Sequence, residues 1–167
     1  MEQIARMGEW VTSRDGGVLS CIGLGSCIGL ALVDAQAGVA GLAHVMLPAA
    51  PGPDVEQAGK YADLAVPALL DDVLGLGALK SRLQAALVGG AQMFSFGGGS
   101  GQDIGGRNEQ AVREQLERAR IAVHATATGG GKGRSMKVHV GEGYVVYREA
   151  AGAPVDLLGR APAGSPA

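Results

Sequence analysis

The chain has 167 residues, a net charge of −2 and 47% hydrophobic residues, which predicts one domain with a substantial core. The small acidic balance and the scattered lysines and arginines exclude an electrostatic case for nucleic acid or for a polybasic membrane patch. With 29 glycines, three tyrosines, two phenylalanines and one tryptophan, the core must be Val, Leu, Ile and Ala held by tight loops. Cys21 and Cys27 do not make a secreted disulfide framework, and no CxxC or paired Cys/His spacing marks structural zinc. The opening MEQIARMGEW lacks the apolar core of a signal peptide, so a cytoplasmic protein is expected.

In chain order, residues 4–12 predict a first strand and 13–17 (SRDGG) its turn. Residues 18–22 predict the strand that leads into the GLGS bend, where Gly23 and Gly25 permit positive φ and leave backbone N–H groups exposed. Residues 27–33 and 39–47 are apolar runs of strand length separated by turn-forming residues, the pattern of a hairpin. A loop of residues 34–37 would set Cys27 directly opposite His44, and a loop one residue longer would set it opposite Val45. Directly opposed side chains share a face about 4.5–5.5 Å apart at Cβ. A thiol beside an imidazole is the arrangement that activates a cysteine nucleophile. The plainer alternative is a small buried Cys and a satisfied core His. The uncharged stretch 16–33 also has the length of a membrane span, but its glycines and the turn at Asp34 favour strands.

PAAPGP at 48–53 is a loop, and 54–76 carries helical spacing at Tyr61, Leu64, Ala65, Ala68 and Leu69, with Pro67 set to kink or restart the helix. That segment follows His44 closely enough to wall a cleft, which makes Tyr61 and Asp63 contact candidates beside the plainer reading of Asp63 as a solvated side chain. Residues 79–88 running into GGAQMFSF predict a core strand, and 97–106 a glycine-rich loop. Neither that loop nor GGGKGRS at 129–135 fits a phosphate-binding loop, because no Gly-Lys-Ser/Thr is present. Asn108 is the expected N-cap of a helix with Glu109 in its first turn, a stripe of Val112, Leu116 and Ala119, and an Arg113–Glu117 surface pair. Residues 121–128 predict a strand, and 135–140 with 144–148 a hairpin; His124 and His139 read as surface or satisfied residues. The Ala/Gly/Pro-rich tail, 150–167, is expected to fray beyond a domain of residues 1–149, with 155–158 free to dock on a partner.

GLGSC at 23–27 and GLAHVMLP at 41–48 resemble the signature of CheD, the chemoreceptor glutamine deamidase of bacterial and archaeal chemotaxis. KYAD at 60–63, GGAQMF at 89–94, IGGRN at 104–108 and TGGGKGRS at 128–135 extend the resemblance, in order, across residues 4–146. It implies an α+β (mixed α/β) domain of two β-layers packed together with helices outside. It also implies hydrolysis of a glutamine side-chain amide in methyl-accepting chemotaxis receptors, with no metal or organic cofactor and no integral membrane segment. Cys27 would be the nucleophile, His44 the general acid and base, and the backbone around Gly25, Ser26 and Cys27 the oxyanion and substrate contact. Cys21 stands where family members commonly carry an assisting Thr, and a thiol is the weaker donor. It could instead be a resolving thiol for an oxidised Cys27, or simply a buried, inert residue. Ala127 stands where the family usually has an acidic residue. Two other classes stay open: a binding partner that regulates a CheC-type phosphatase, and a cysteine hydrolase acting on another amide or ester.

Overall fold

The computed structural model describes residues 1–92 and 103–159. Among the described residues, ten strands form two five-stranded sheets. The first sheet holds β1 (Glu2–Ile4), β3 (Val18–Leu24), β8 (Arg134–His139), β9 (Tyr144–Glu149) and β10 (Val155–Leu158), in that order. The second holds β2 (Trp10–Arg14), β5 (Val39–Val45), β4 (Ile28–Asp34), β6 (Gln84–Gly89) and β7 (Val123–Thr128). β1 pairs parallel to β3 and β6 parallel to β7; the other neighbours are antiparallel. The expected α+β architecture of stacked β-layers with outer helices is present.

The second sheet is covered on both faces, and its central strands show why their sequences are almost purely apolar. Along β4, Ile28, Leu30 and Leu32 face α1 (Ala62–Gly75) and α2 (Ile104–Arg118), while Ala31 and Val33 face the first sheet. Every residue of β4 and β5 is buried. The first sheet has only one such covered face, so β8 alternates: Arg134, Met136 and Val138 are buried and Lys137 is exposed. Trp10 Nε1 donates to Asp72 at 2.7 Å and Arg14 Nη1 to the Leu76 carbonyl at 2.7 Å, pinning α1 to β2. The charge-free stretch 16–33 becomes β3 and β4, and no helix among the described residues is long and apolar enough to cross a membrane.

Several local expectations change. The strand expected over 4–12 is two short strands in different sheets, broken at Gly8, whose φ is +79°. Helix α1 starts at Ala62, after a 3-10 turn at Ala58–Lys60, and runs through Pro67. Lys80–Arg82 is a further 3-10 turn, and the strand expected from 79 is confined to Gln84–Gly89, ended by Gly89 at φ +114°. Most of the FSF continuation and of the 97–106 loop lies outside the described residues. Helix α2 is capped by Asp103, whose carboxylate accepts from the Gly106 N–H at 2.8 Å, so Asn108 lies inside the helix and is fully buried. Arg113 turns back to Glu109 at 2.8 Å rather than forward to Glu117, because Glu109 is also held by the Thr128 hydroxyl. Val155–Leu158 of the tail pairs with β9 within the first sheet; residues 160–167 lie outside the described residues.

Candidate active site

The β4–β5 hairpin closes as Asp34 opposite Val39, which leaves residues 35–38 as its loop. Asp34 stays in the strand because its buried carboxylate accepts from Ala37 N at 3.0 Å and Leu79 N at 2.8 Å, and Gly38 completes the turn at φ +70°. Neither expected register is therefore the real one. His44 lies opposite Gly29, and the ladder ends at Ile28 opposite Val45, one residue beyond Cys27. Cys27 precedes Gly29 by two residues, which makes it a diagonal rather than a direct neighbour of His44. Both belong to the layer between the sheets: Cys27 packs on the cluster that contains Ala31 and Leu42, and His44 follows Leu42 by two residues along β5.

His44 is 2% exposed. Its Nδ1 lies 3.1 Å from the Ala5 carbonyl, which can only accept, so Nδ1 carries the proton in that bond. Nε2 is buried and has no hydrogen-bond partner among the described residues. Burial lowers the pKa of this imidazole below its ordinary 6.5, against the opposing effects of the Ala5 bond and the Glu9 charge. The strand itself is fixed on its β2 side, where the His44 N–H donates to Glu9 O and His44 O accepts from Gly8 N, each at 2.9 Å. A neutral imidazole with one nitrogen tied and the other free is a base awaiting a proton.

Cys27 is a free, half-buried thiol, and burial raises its pKa above the ordinary 9.0. These directions leave Cys27 a thiol and His44 a neutral imidazole at neutral pH. The turn before Cys27 is held by its carbonyls. Gly25 O accepts from Ala91 N and Cys27 O from Gly90 N, both at 2.9 Å. Ser26 O accepts from Asn108 Nδ2 at 2.9 Å, and a second bond from the same nitrogen reaches Met46 O at 2.9 Å. Gly89 has to be glycine here, since a Cβ would collide with the Cys27 carbonyl.

Gly25, Ser26 and Cys27, which lead into β4, and His44, near the end of β5, therefore lie toward the same end of the β4–β5 hairpin. Cys21 lies behind them, fully buried opposite Met136, and burial followed by the Cys27 charge pushes its thiol far up. Ala127 pairs with Val88 and packs on the inter-sheet cluster. Asp63 is not simply solvated: it accepts from Ala50 N at 3.0 Å and anchors the proline loop, while Tyr61 bridges to Leu47. His124 is exposed and bonded to Ala122 O, and His139 stacks on Tyr144. Sequence reading missed the Ala5 carbonyl, Asn108 and Arg134. Arg134 is 8% exposed, donates to Gly129 O at 2.8 Å and Gly89 O at 3.3 Å, and pairs with Glu149 at 3.3 Å. For Asn108 a signal existed in IGGRN: Gly105 fits against the Gly90 and Ala91 carbonyls, and Asn108 follows three residues later on the same helix face.

The family model described as CheD chemotactic sensory transduction matches residues 46–149. The chain is 37% identical over 152 residues to the chemoreceptor glutamine deamidase CheD of Thermotoga maritima, covering 91% of this chain and 94% of that protein. It is 48% identical over 139 residues to the probable chemoreceptor glutamine deamidase CheD of Geobacillus kaustophilus, covering 80% and 84%. For the probable chemoreceptor glutamine deamidase CheD of Clostridium kluyveri the identity is 44% over 132 residues, covering 78% and 82%.

Proposed function

The chain belongs to the CheD family, and from that premise we propose that it is a hydrolase that deamidates glutamine side chains of chemoreceptors, using Cys27 and His44. The observation that carries the mechanism is the unpartnered, buried Nε2 of His44 on the same inter-sheet layer as the half-buried Cys27 thiol.

Cys27 Sγ attacks the carboxamide carbon while His44 Nε2 takes the thiol proton. The Nδ1 bond to Ala5 keeps the ring in the tautomer that makes this possible. The carbonyl oxygen becomes an oxyanion, held by the backbone N–H groups of Ser26 and Cys27. The imidazolium returns its proton to the amide nitrogen, ammonia leaves and a thioester stays on Cys27. Water then adds to the thioester with His44 as base, and the second collapse releases glutamate and restores the thiol. The overall balance is carboxamide plus water giving carboxylic acid plus ammonia.

A macromolecular substrate is supported by the rim of the site. Met7, Ile22, Leu47 and Ile104 are 59%, 61%, 42% and 45% exposed. Each sits on a segment leading toward the turn or His44: Met7 precedes Gly8, Ile22 lies in β3 two residues before its end at Leu24, Leu47 follows His44 by three residues, and Ile104 precedes Gly105. Exposed apolar side chains on segments that adjoin the candidate residues in the chain fit a contact surface for a macromolecule.

The test is incubation with a purified receptor cytoplasmic domain, followed by peptide mass spectrometry beside Cys27→Ala. A gain of about 1 Da at defined glutamines, absent with the variant, is the expected signature of thiol-dependent amide hydrolysis. Equal gains with wild type and Cys27→Ala, or none with several receptors, would overturn the reading. Unrelated glutamine peptides, run in parallel, report whether the enzyme selects receptors.

A further inference from the structure

Three consecutive carbonyls of the turn before β4 are restrained, and the middle one differs from the others. Gly25 O and Cys27 O accept from backbone N–H groups of the segment after β6. Ser26 O is held by a side chain, that of Asn108. The second bond from the same Asn108 nitrogen reaches Met46 O, two residues past His44, so one amide spans the two chain segments that carry the thiol and the imidazole. Asn108 is fully buried, and its Oδ1 has no partner among the described residues. An idle buried acceptor is a cost to the fold. What Asn108 contributes is its pair of donors.

The peptide joining Ser26 to Cys27 is planar and trans, so its C=O and N–H point in opposite directions. Fixing the Ser26 carbonyl therefore fixes the direction of the Cys27 N–H. A carbonyl that accepts a hydrogen bond also polarises the N–H of its own peptide unit. We infer that Asn108 is a positioning residue that aims the Cys27 N–H at the oxyanion formed on Cys27, an inference that rests on the thiol chemistry proposed above. Helix α2 delivers it: Gly105 lies so close to the Gly90 and Ala91 carbonyls that a Cβ would overlap both, which seats the helix against the segment that also holds Gly25 and Cys27.

The experiment separates oxyanion stabilisation from thiol reactivity. An aliphatic aldehyde such as butyraldehyde adds reversibly to Cys27: Sγ bonds to the aldehyde carbon, the thiol proton goes by way of His44 to the new oxygen, and nothing leaves. That tetrahedral oxygen occupies the oxyanion position. Iodoacetamide instead alkylates Sγ with loss of iodide and places no oxyanion. The full chain, Asn108→Ala and the near-isosteric Asn108→Asp are compared with both reagents. Burial against two carbonyls keeps the Asp carboxyl protonated, which leaves one O–H donor in place of two N–H donors.

Asn108→Ala is expected to weaken aldehyde binding by at least about tenfold and to lower kcat for deamidation by about 10- to 100-fold, with KM and the alkylation rate changed by less than about threefold. Asn108→Asp is expected to lie between wild type and Ala, and it decides the matter if the Ala variant does not fold. Unchanged aldehyde affinity in a folded variant would overturn the inference. So would alkylation falling in step with aldehyde binding, which would mean that Asn108 only keeps Cys27 ordered. A wild type that shows the aldehyde contrast but no Cys27-dependent deamidation would overturn the proposed reaction and leave the role of Asn108 standing.

Discussion

Gly29 stands directly opposite His44 across β4 and β5, and a side chain at Gly29 would overlap the Met136 thioether of the facing sheet. Met136 is fully buried and lies opposite Cys21, so it has little room to yield. Gly29→Ala is therefore expected to destabilise the protein by about 1–3 kcal/mol through overpacking. Chemical denaturation would measure it. Because the displaced atoms adjoin the strand position facing His44, deamidation by the folded fraction should fall as well. An unchanged midpoint would show that Met136 repacks freely.

The raised thiol of Cys27 and the depressed imidazole of His44 set two pH profiles that both rise with pH but have their midpoints far apart. Burial raises the Cys27 thiol above 9.0, so alkylation by iodoacetamide should climb with a midpoint above 9.0. A thiolate–imidazolium pair would instead react at a plateau from mildly acidic pH upward, and that result would refute the neutral pair. The folded protein should be alkylated at Cys27 alone, because Cys21 is fully buried and still harder to ionise; unfolding should expose both. His44 is depressed below 6.5, so kcat/KM for deamidation should be level at neutral pH and drop along an acid limb with its midpoint below 6.5. The same depression makes the unfolded chain bind the proton first, so this contribution to stability is complete above 6.5 and fades as pH falls toward the folded value.

Asp34 supplies a control far from the chemistry. Burial by itself would raise its carboxyl, but the Leu79 and Ala37 N–H bonds and Arg82 outweigh that and hold it below the ordinary 3.8. Arg82 lies 3.0 Å away with its side chain 30% exposed. Asp34→Asn is expected to cost about 2–4 kcal/mol at neutral pH, somewhat under the range for a fully buried pair because Arg82 keeps contact with water. The carboxylate contribution exists above 3.8 and is lost as pH falls through the folded pKa, so the gap to wild type should narrow in acid. Thermal melts at pH 7 and pH 3 would test this, and deamidation per folded molecule should stay unchanged.

The sequence by itself determined the α+β class and nominated Cys27 and His44 as the candidate reactive pair. Apolar runs of strand length at 27–33 and 39–47 have to be covered on both faces, and the glycine bend before Cys27 has to turn sharply. Cys27 and His44 were legible because their segments carry chemistry-bearing residues in an otherwise apolar stretch. The register was not, since both ends of the hairpin loop are small residues and either closure satisfies turn propensity. It was decided by Asp34, whose carboxylate is held by Leu79 and Arg82, more than 40 residues away in the chain. The same holds for the helix start at Asp103, where capping by Asp103 freed Asn108 for the interior. The proton state of His44 and the aim of the turn carbonyls were likewise settled by Ala5 and Asn108. Local periodicity reports which face a residue takes, whereas these bonds join partners distant in sequence and exist only once the sheets and α2 have packed.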